Sequence, residues 1–189
     1  MTVTKLRLPG LRLIELDVYR DQRGYFMETW NECAYRENGL NTDFVQDNLS
    51  FSKQGVLRGL HFQNPYPQGK LVSVLRGEVF DVAVDIRSGS DTFGQWEGVT
   101  LSANNGRQLY VPEGFAHGFV VTSADALFHY KCTNSYHPKA EGIIRWDDPE
   151  IGVTWPLSNP ILSDRDAGAP FLNDIEPIES STADRGSAR

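Results

Sequence analysis

Residues 79–86 read VFDVAVDI: Phe80, Val82, Val84 and Ile86 fall on one face of an extended chain, and Asp81, Ala83 and Asp85 on the other. That two-residue period belongs to a strand and not to a helix. Similar short segments, bounded by Gly, Pro, Asn and Ser, recur at 11–18, 24–30, 44–51, 56–63, 70–76, 96–101, 107–111, 116–122, 126–133 and 141–146. So many short strands with tight connections predict an all-β fold, a sandwich, barrel or jelly roll. Within 189 residues they fill one domain, expected over 1–172. One helix is expected at 31–38, with Asn31 as N-cap and Gly39 just past its end. Residues 147–170 carry turn formers and read as loop, and 173–189 read as a loosely ordered C-terminal tail.

The net charge of -7, with no basic stripe to follow phosphates, argues against a nucleic-acid partner. No apolar run is long enough for a membrane span, and the N-terminus has no unbroken apolar signal region, so the cytoplasm is the expected compartment. Cys33 and Cys132 lie far apart and outside any CxxC spacing, which gives neither a disulfide framework nor a redox motif. An anionic small-molecule substrate would need a locally positive pocket on this acidic chain.

Several polar residues interrupt the apolar strands. In 56–63 ideal alternation puts Leu57, Gly59, His61 and Gln63 on one face and Val56, Arg58, Leu60 and Phe62 on the other. For Arg58 and His61 to share a pocket, Gly59 must support a bulge, or Arg58 must reach around an edge. Gly106 to His117 fits the second half of the cupin signature, G-x5-P-x-G-x2-H, although Val121 stands where that signature has asparagine. In metal-binding cupins the first half supplies His-x-His and then a glutamate. Here the pair reads His61-Phe62-Gln63, and Lys70 stands near the glutamate position. Two imidazoles, an amide and an ammonium make a poor divalent site, so no metal is expected. His61, Lys70, His117 and Tyr130 are costly to bury without a function or a bound anion.

RGLHFQ (58–63), QGKLV (68–72), GEVFDVAVDIR (77–87), TFG (92–94), VPEGFAHGF (111–119), YKCT (130–133) and IRWDDPEIGVTWP (144–156) together resemble the dTDP-4-dehydrorhamnose 3,5-epimerase family. The resemblance runs over residues 5–166. It implies a cofactor-free cupin-type jelly roll, a homodimer, and a dTDP-4-keto-6-deoxy sugar as substrate. The implied reaction inverts C3 and C5 by proton removal alpha to the C4 ketone and reprotonation on the opposite face. By the same resemblance His61 is the base, Asp166 orients it, Tyr130 is the acid, and Lys70 stabilises the C4 oxyanion. Arg58 and His117 match groups for the diphosphate and sugar. Arg23, Glu28, Gln46, Asp47 and Asn48 match the nucleotide-holding region, with some contacts in relatives made across the dimer. Glu141 and Arg165 match further binding positions. Three other readings stay open at this level: an epimerase acting at C3 or C5 alone, a non-catalytic sugar-nucleotide-binding cupin, and a metal-dependent cupin enzyme.

Overall fold

A computed structural model describes residues 1–178. The chain runs β1 (Thr2–Lys5), β2 (Arg12–Glu15), β3 (Tyr19–Asp21), β4 (Gly24–Phe26), α1 (Glu32–Glu37), β5 (Gln46–Lys53), β6 (Leu57–Gln63) and β7 (Lys70–Arg76). It continues through β8 (Glu78–Asp85), β9 (Trp96–Ser102), β10 (Arg107–Val111), β11 (Phe115–Val121), β12 (Asp125–Cys132), β13 (Glu141–Ile143) and the short α2 (Asp164–Ala167). Six strands form one sheet in the order β1-β2-β10-β7-β12-β5, and five form a second in the order β13-β6-β11-β8-β9. Every named pairing is antiparallel. Two antiparallel sheets with long crossovers between them are a jelly roll, as the strand pattern predicts.

The sheets close over a core that includes Val72 and Val74 of β7, Val79 and Ala83 of β8, Phe115, Phe119 and Val121 of β11, and Ala126 and Phe128 of β12. The outer face of the five-stranded sheet is also covered. Leu60, Phe62, Val82, Val84 and Ala116 pack there against Ile144, Ile151, Leu172 and Ile178. The loop region is therefore not idle: it roofs a sheet that would otherwise show an apolar face to water. Over the six-stranded sheet, Tyr35 of α1 and Leu40 cover Ile14, Leu71 and Tyr110. Asn31 caps α1 as expected, its side chain accepting from the Ala34 N–H, and Gly39 follows at φ +76°.

The expected tail boundary at 172 falls too early. Leu172–Asp174 form a 3-10 turn, and Ile178 is buried and bridges to Arg87. An isoleucine at 178 finds an apolar slot that composition alone does not reveal. The remainder of the predicted tail lies outside the described residues. The β3–β4 hairpin is also unforeseen in form. It projects with Tyr19, Tyr25 and Phe26 exposed.

Candidate active site

The pairing of β6 with β11 decides which side chains share the interior. His117 faces His61 and Phe119 faces Arg58, so the three residues 117–119 of β11 oppose the four residues 58–61 of β6 and the register shifts between them. The extra residue sits at Gly59–Leu60. Gly59 adopts φ +121°, and a Cβ there would lie 2.6 Å from Gly118 Cα and 2.8 Å from the His117 carbonyl oxygen. Only glycine tolerates both demands. The bulge turns Arg58 to the same side as His61 and sends Leu60 outward. The distortion that a shared pocket requires is present.

From the facing sheet, Lys70 lies on the same side of β7 as the core residues Val72 and Val74. Tyr130 and Cys132 share the inner side of β12 with Phe128, and β5 sets Asn48 opposite Tyr130 and Gln46 opposite Cys132. Gln46 Nε2 donates to Asn48 Oδ1 at 3.0 Å, and Arg58 Nε donates to Ser52 Oγ at 2.9 Å.

His61 Nε2 lies 2.6 Å from Asp166 Oδ1, and Ser163 Oγ donates to the other oxygen at 2.8 Å. Ser163 is also the N-cap of α2, so the cap that starts this turn fixes the carboxylate that holds His61. Burial pushes Asp166 up, but hydrogen bonds from His61, Ser163 and the Gly59 backbone outweigh it and hold the carboxyl below its usual range. His117 Nε2 lies 3.0 Å from both oxygens of Asp81. Burial pushes Lys70 down, against the fields of Cys132, Asp81 and Glu141. Tyr130 is pushed up, first by burial, so it keeps its proton at neutral pH. The cluster can take a proton on one side, hold one on the other, and meet negative charge with Lys70 and Arg58.

At the rim, Glu141 accepts from Tyr136 Oη at 2.8 Å and pairs with Arg165. Burial pushes Glu141 up, yet these two partners bring it below its usual range. Gln63 is buried and ties down loops, donating to the Tyr66 and Ser135 carbonyls at 2.7 and 3.2 Å.

The matching residues of the epimerase pattern are therefore largely gathered here, but three are not. Asp47 falls on the opposite face of β5 from Gln46 and Asn48, where it pairs with Lys131 at 3.0 Å. Arg23 sits on the projecting hairpin and pairs with its own Asp21. Glu28 accepts from Asn31 at 3.3 Å. Two residues of the site go unread in the sequence. Asp81 hides because a charged residue on an alternating strand reads as solvent-facing. Tyr136 lies in a turn-rich stretch with no period.

The family model for dTDP-4-dehydrorhamnose 3,5-epimerase matches residues 5–174. The chain belongs to this family. It is 57% identical over 165 residues to the dTDP-4-dehydrorhamnose 3,5-epimerase of Methanothermobacter thermautotrophicus, covering 86% of this chain and 89% of that one. The Salmonella typhimurium enzyme of the same name is 55% identical, over 92% of this chain and 96% of its own. Among solved structures, the dTDP-6-deoxy-D-glucose-3,5-epimerase of Legionella pneumophila, bound to dTDP-4-keto-L-rhamnose, superposes with a TM-score of 0.92. It is 51% identical and covers 95% of this chain and 98% of that one. Membership in this epimerase family agrees with the jelly roll and with the residues that line its interior. Among the described residues no helix is long and apolar enough to cross a membrane.

Proposed function

We propose that this protein epimerises dTDP-4-dehydro-6-deoxy-D-glucose at C3 and C5, giving dTDP-4-dehydro-L-rhamnose. The observation that carries the reading is the opposed pair: His61, held by Asp166, enters from one sheet, and a protonated Tyr130 enters from the other. A hydrogen next to the C4 ketone is weakly acidic. His61 removes it, the electron pair delocalises onto the C4 oxygen, and Lys70 stabilises that oxyanion. Tyr130 then returns a proton to the other face of the carbon, and the configuration inverts. A non-catalytic binder has no use for such a pair.

Arg58 and His117 lie where a diphosphate and a sugar hydroxyl would be held, and a guanidinium suits phosphate. Gln46, Asn48, Glu141 and Arg165 frame the nucleotide end, and the exposed ring of Tyr136 offers a flat surface for a base. Arg23 and Glu28 are assigned to the same ligand through a homodimer, in which the exposed hairpin reaches a second copy. Apolar Val45, Leu49, Phe51 and Leu75 are exposed, and such a surface favours burial against a partner. Asp47 lies on this side of β5 and keeps its nucleotide role only through that partner. Cys33 and Cys132 are both free thiols, which suits the reducing cytoplasm.

Tyr130→Phe tests the assignment of the acid. Turnover is expected to fall by about 10²-fold or more, with the Kd for dTDP nearly unchanged. Wild-type turnover in this variant would remove Tyr130 from the mechanism. Asp166→Asn is expected to lower kcat by about 10²-fold or more, by analogy with the carboxylate of hydrolase triads, while KM stays within a few-fold. A rise in KM alone would make Asp166 a binding group instead.

A further inference from the structure

Asp81 is completely buried on β8, facing the interior beside Val79 and Ala83. The proton transfers described above do not use it. Its two oxygens accept only from His117 among the described residues. A carboxylate taken wholly out of water costs several kcal/mol unless cations or donors compensate it. Retaining one here calls for a reason.

The charges nearby supply one. Burial pushes His117 down, and Lys70 and His61 oppose its protonation while Asp81 favours it; burial prevails. His117 is then a neutral imidazole whose Nε2–H donates to Asp81, leaving Nδ1 as an acceptor. Lys70 stands across the interior on the inner side of β7; its ammonium has no ion-pair partner within 4.0 Å among the described residues, and the field of Asp81 favours its charged form.

We propose that Asp81 is a positioning residue of this site: its carboxylate fixes the Nε2–H tautomer of His117 and supplies the buried negative charge that keeps Lys70 an ammonium. The inference rests on the epimerase reading for its kinetic consequence and on geometry alone for the tautomer. A lysine that loses its proton brings no positive charge to the C4 oxygen, and the enolate loses that electrostatic stabilisation. Other groups facing Lys70 do not replace Asp81. On β6 these are His61, engaged by Asp166, and Arg58, a cation. On β12 they are the thiol of Cys132 and the phenol of Tyr130, both pushed up and uncharged at neutral pH. On β13 Glu141 is engaged by Arg165 and Tyr136, and Glu113, beyond β10, accepts from Thr133 at 2.6 Å.

The test is Asp81→Asn, which keeps the size and an acceptor for His117 but removes the charge. The kcat of both proteins is followed from about pH 6 to pH 10. Loss of the charge lowers the proton affinity of Lys70, so the alkaline limb moves to lower pH. At pH 9, relative to pH 7, the variant is expected to lose about tenfold more activity than the unmutated protein, with dTDP affinity little changed. A lower Tm with an unaltered pH profile would overturn the proposal and leave Asp81 a structural residue. Inactivity of the unmutated protein would instead strike the epimerase reading. A second measurement needs neither turnover nor the variant: 15N NMR of the histidines in the unmutated protein. His117 protonated on Nε2 and bare on Nδ1 between about pH 6 and 9 supports the proposal, and the opposite tautomer overturns it.

Discussion

His61→Asn is expected to lower turnover by about 10²–10⁴-fold and to leave the Kd for dTDP within a few-fold of its original value. Asparagine approximates the shape of the ring and can still donate to Asp166, which lies 2.6 Å from the imidazole nitrogen. What it lacks is an imidazole nitrogen that can take up a proton and give it back. With His61 as the proposed base for both carbons, the loss should strike C3 and C5 together. Steady-state kinetics alongside a binding isotherm decides the matter. Retention of more than about a tenth of the original kcat would assign the base elsewhere.

Gly59→Ala should be as damaging by a different route. The alanine Cβ would meet Gly118 Cα at 2.6 Å and the His117 carbonyl at 2.8 Å, both backbone atoms in a central strand that cannot swing aside. The φ of +121° adds strain for any residue with a side chain. Together these cost on the order of 3 kcal/mol or more, or a fall in Tm of roughly 6–12 °C for a domain of this size. Activity should fall further than stability explains, because relaxing the bulge turns Arg58 from the side that His61 occupies. Gly89→Ala is the control. Gly89 also has positive φ, at +71°, but no atom lies within 4 Å of the added Cβ. It should cost only about 1–2 kcal/mol and leave turnover intact. Equal effects at both positions would show that backbone conformation, and not the close crossing with β11, governs Gly59.

That glycine also shows how much of the site is legible in the sequence. Period-two alternation recovers β7 and β10 at their observed bounds, and β12 one residue out of place. Each is buried on its inner side and carries an unbroken pattern. Alternation alone puts Arg58 and His61 on opposite faces, and the conflict itself points to a bulge at Gly59, which the register shift between β6 and β11 supplies. The same arithmetic, applied to β5, separates Asp47 from Gln46 and Asn48. Matching the family position by position groups all three, and the two kinds of reading part there. Asp81 illustrates the reverse failure. Its strand has one uniformly apolar face, and the eye assigns the charged face to solvent. In a jelly roll both faces of a central strand are covered, one by the opposite sheet and one by the 144–178 segment. β1 and β3 escape notice because their residues are largely exposed and carry no apolar period, whereas β4 falls inside the expected 24–30 segment.

On the proposed mechanism, one base–acid pair inverts the two carbons flanking a ketone. Incubation of the purified protein with dTDP-4-keto-6-deoxyglucose in D2O, with deuterium at each carbon read by NMR and mass spectrometry, tests this mechanism. Deuterium is expected at both C3 and C5, and the product should become the rhamnose nucleotide when a 4-keto reductase is added. Deuterium at one carbon alone, or at neither, would contradict this mechanism.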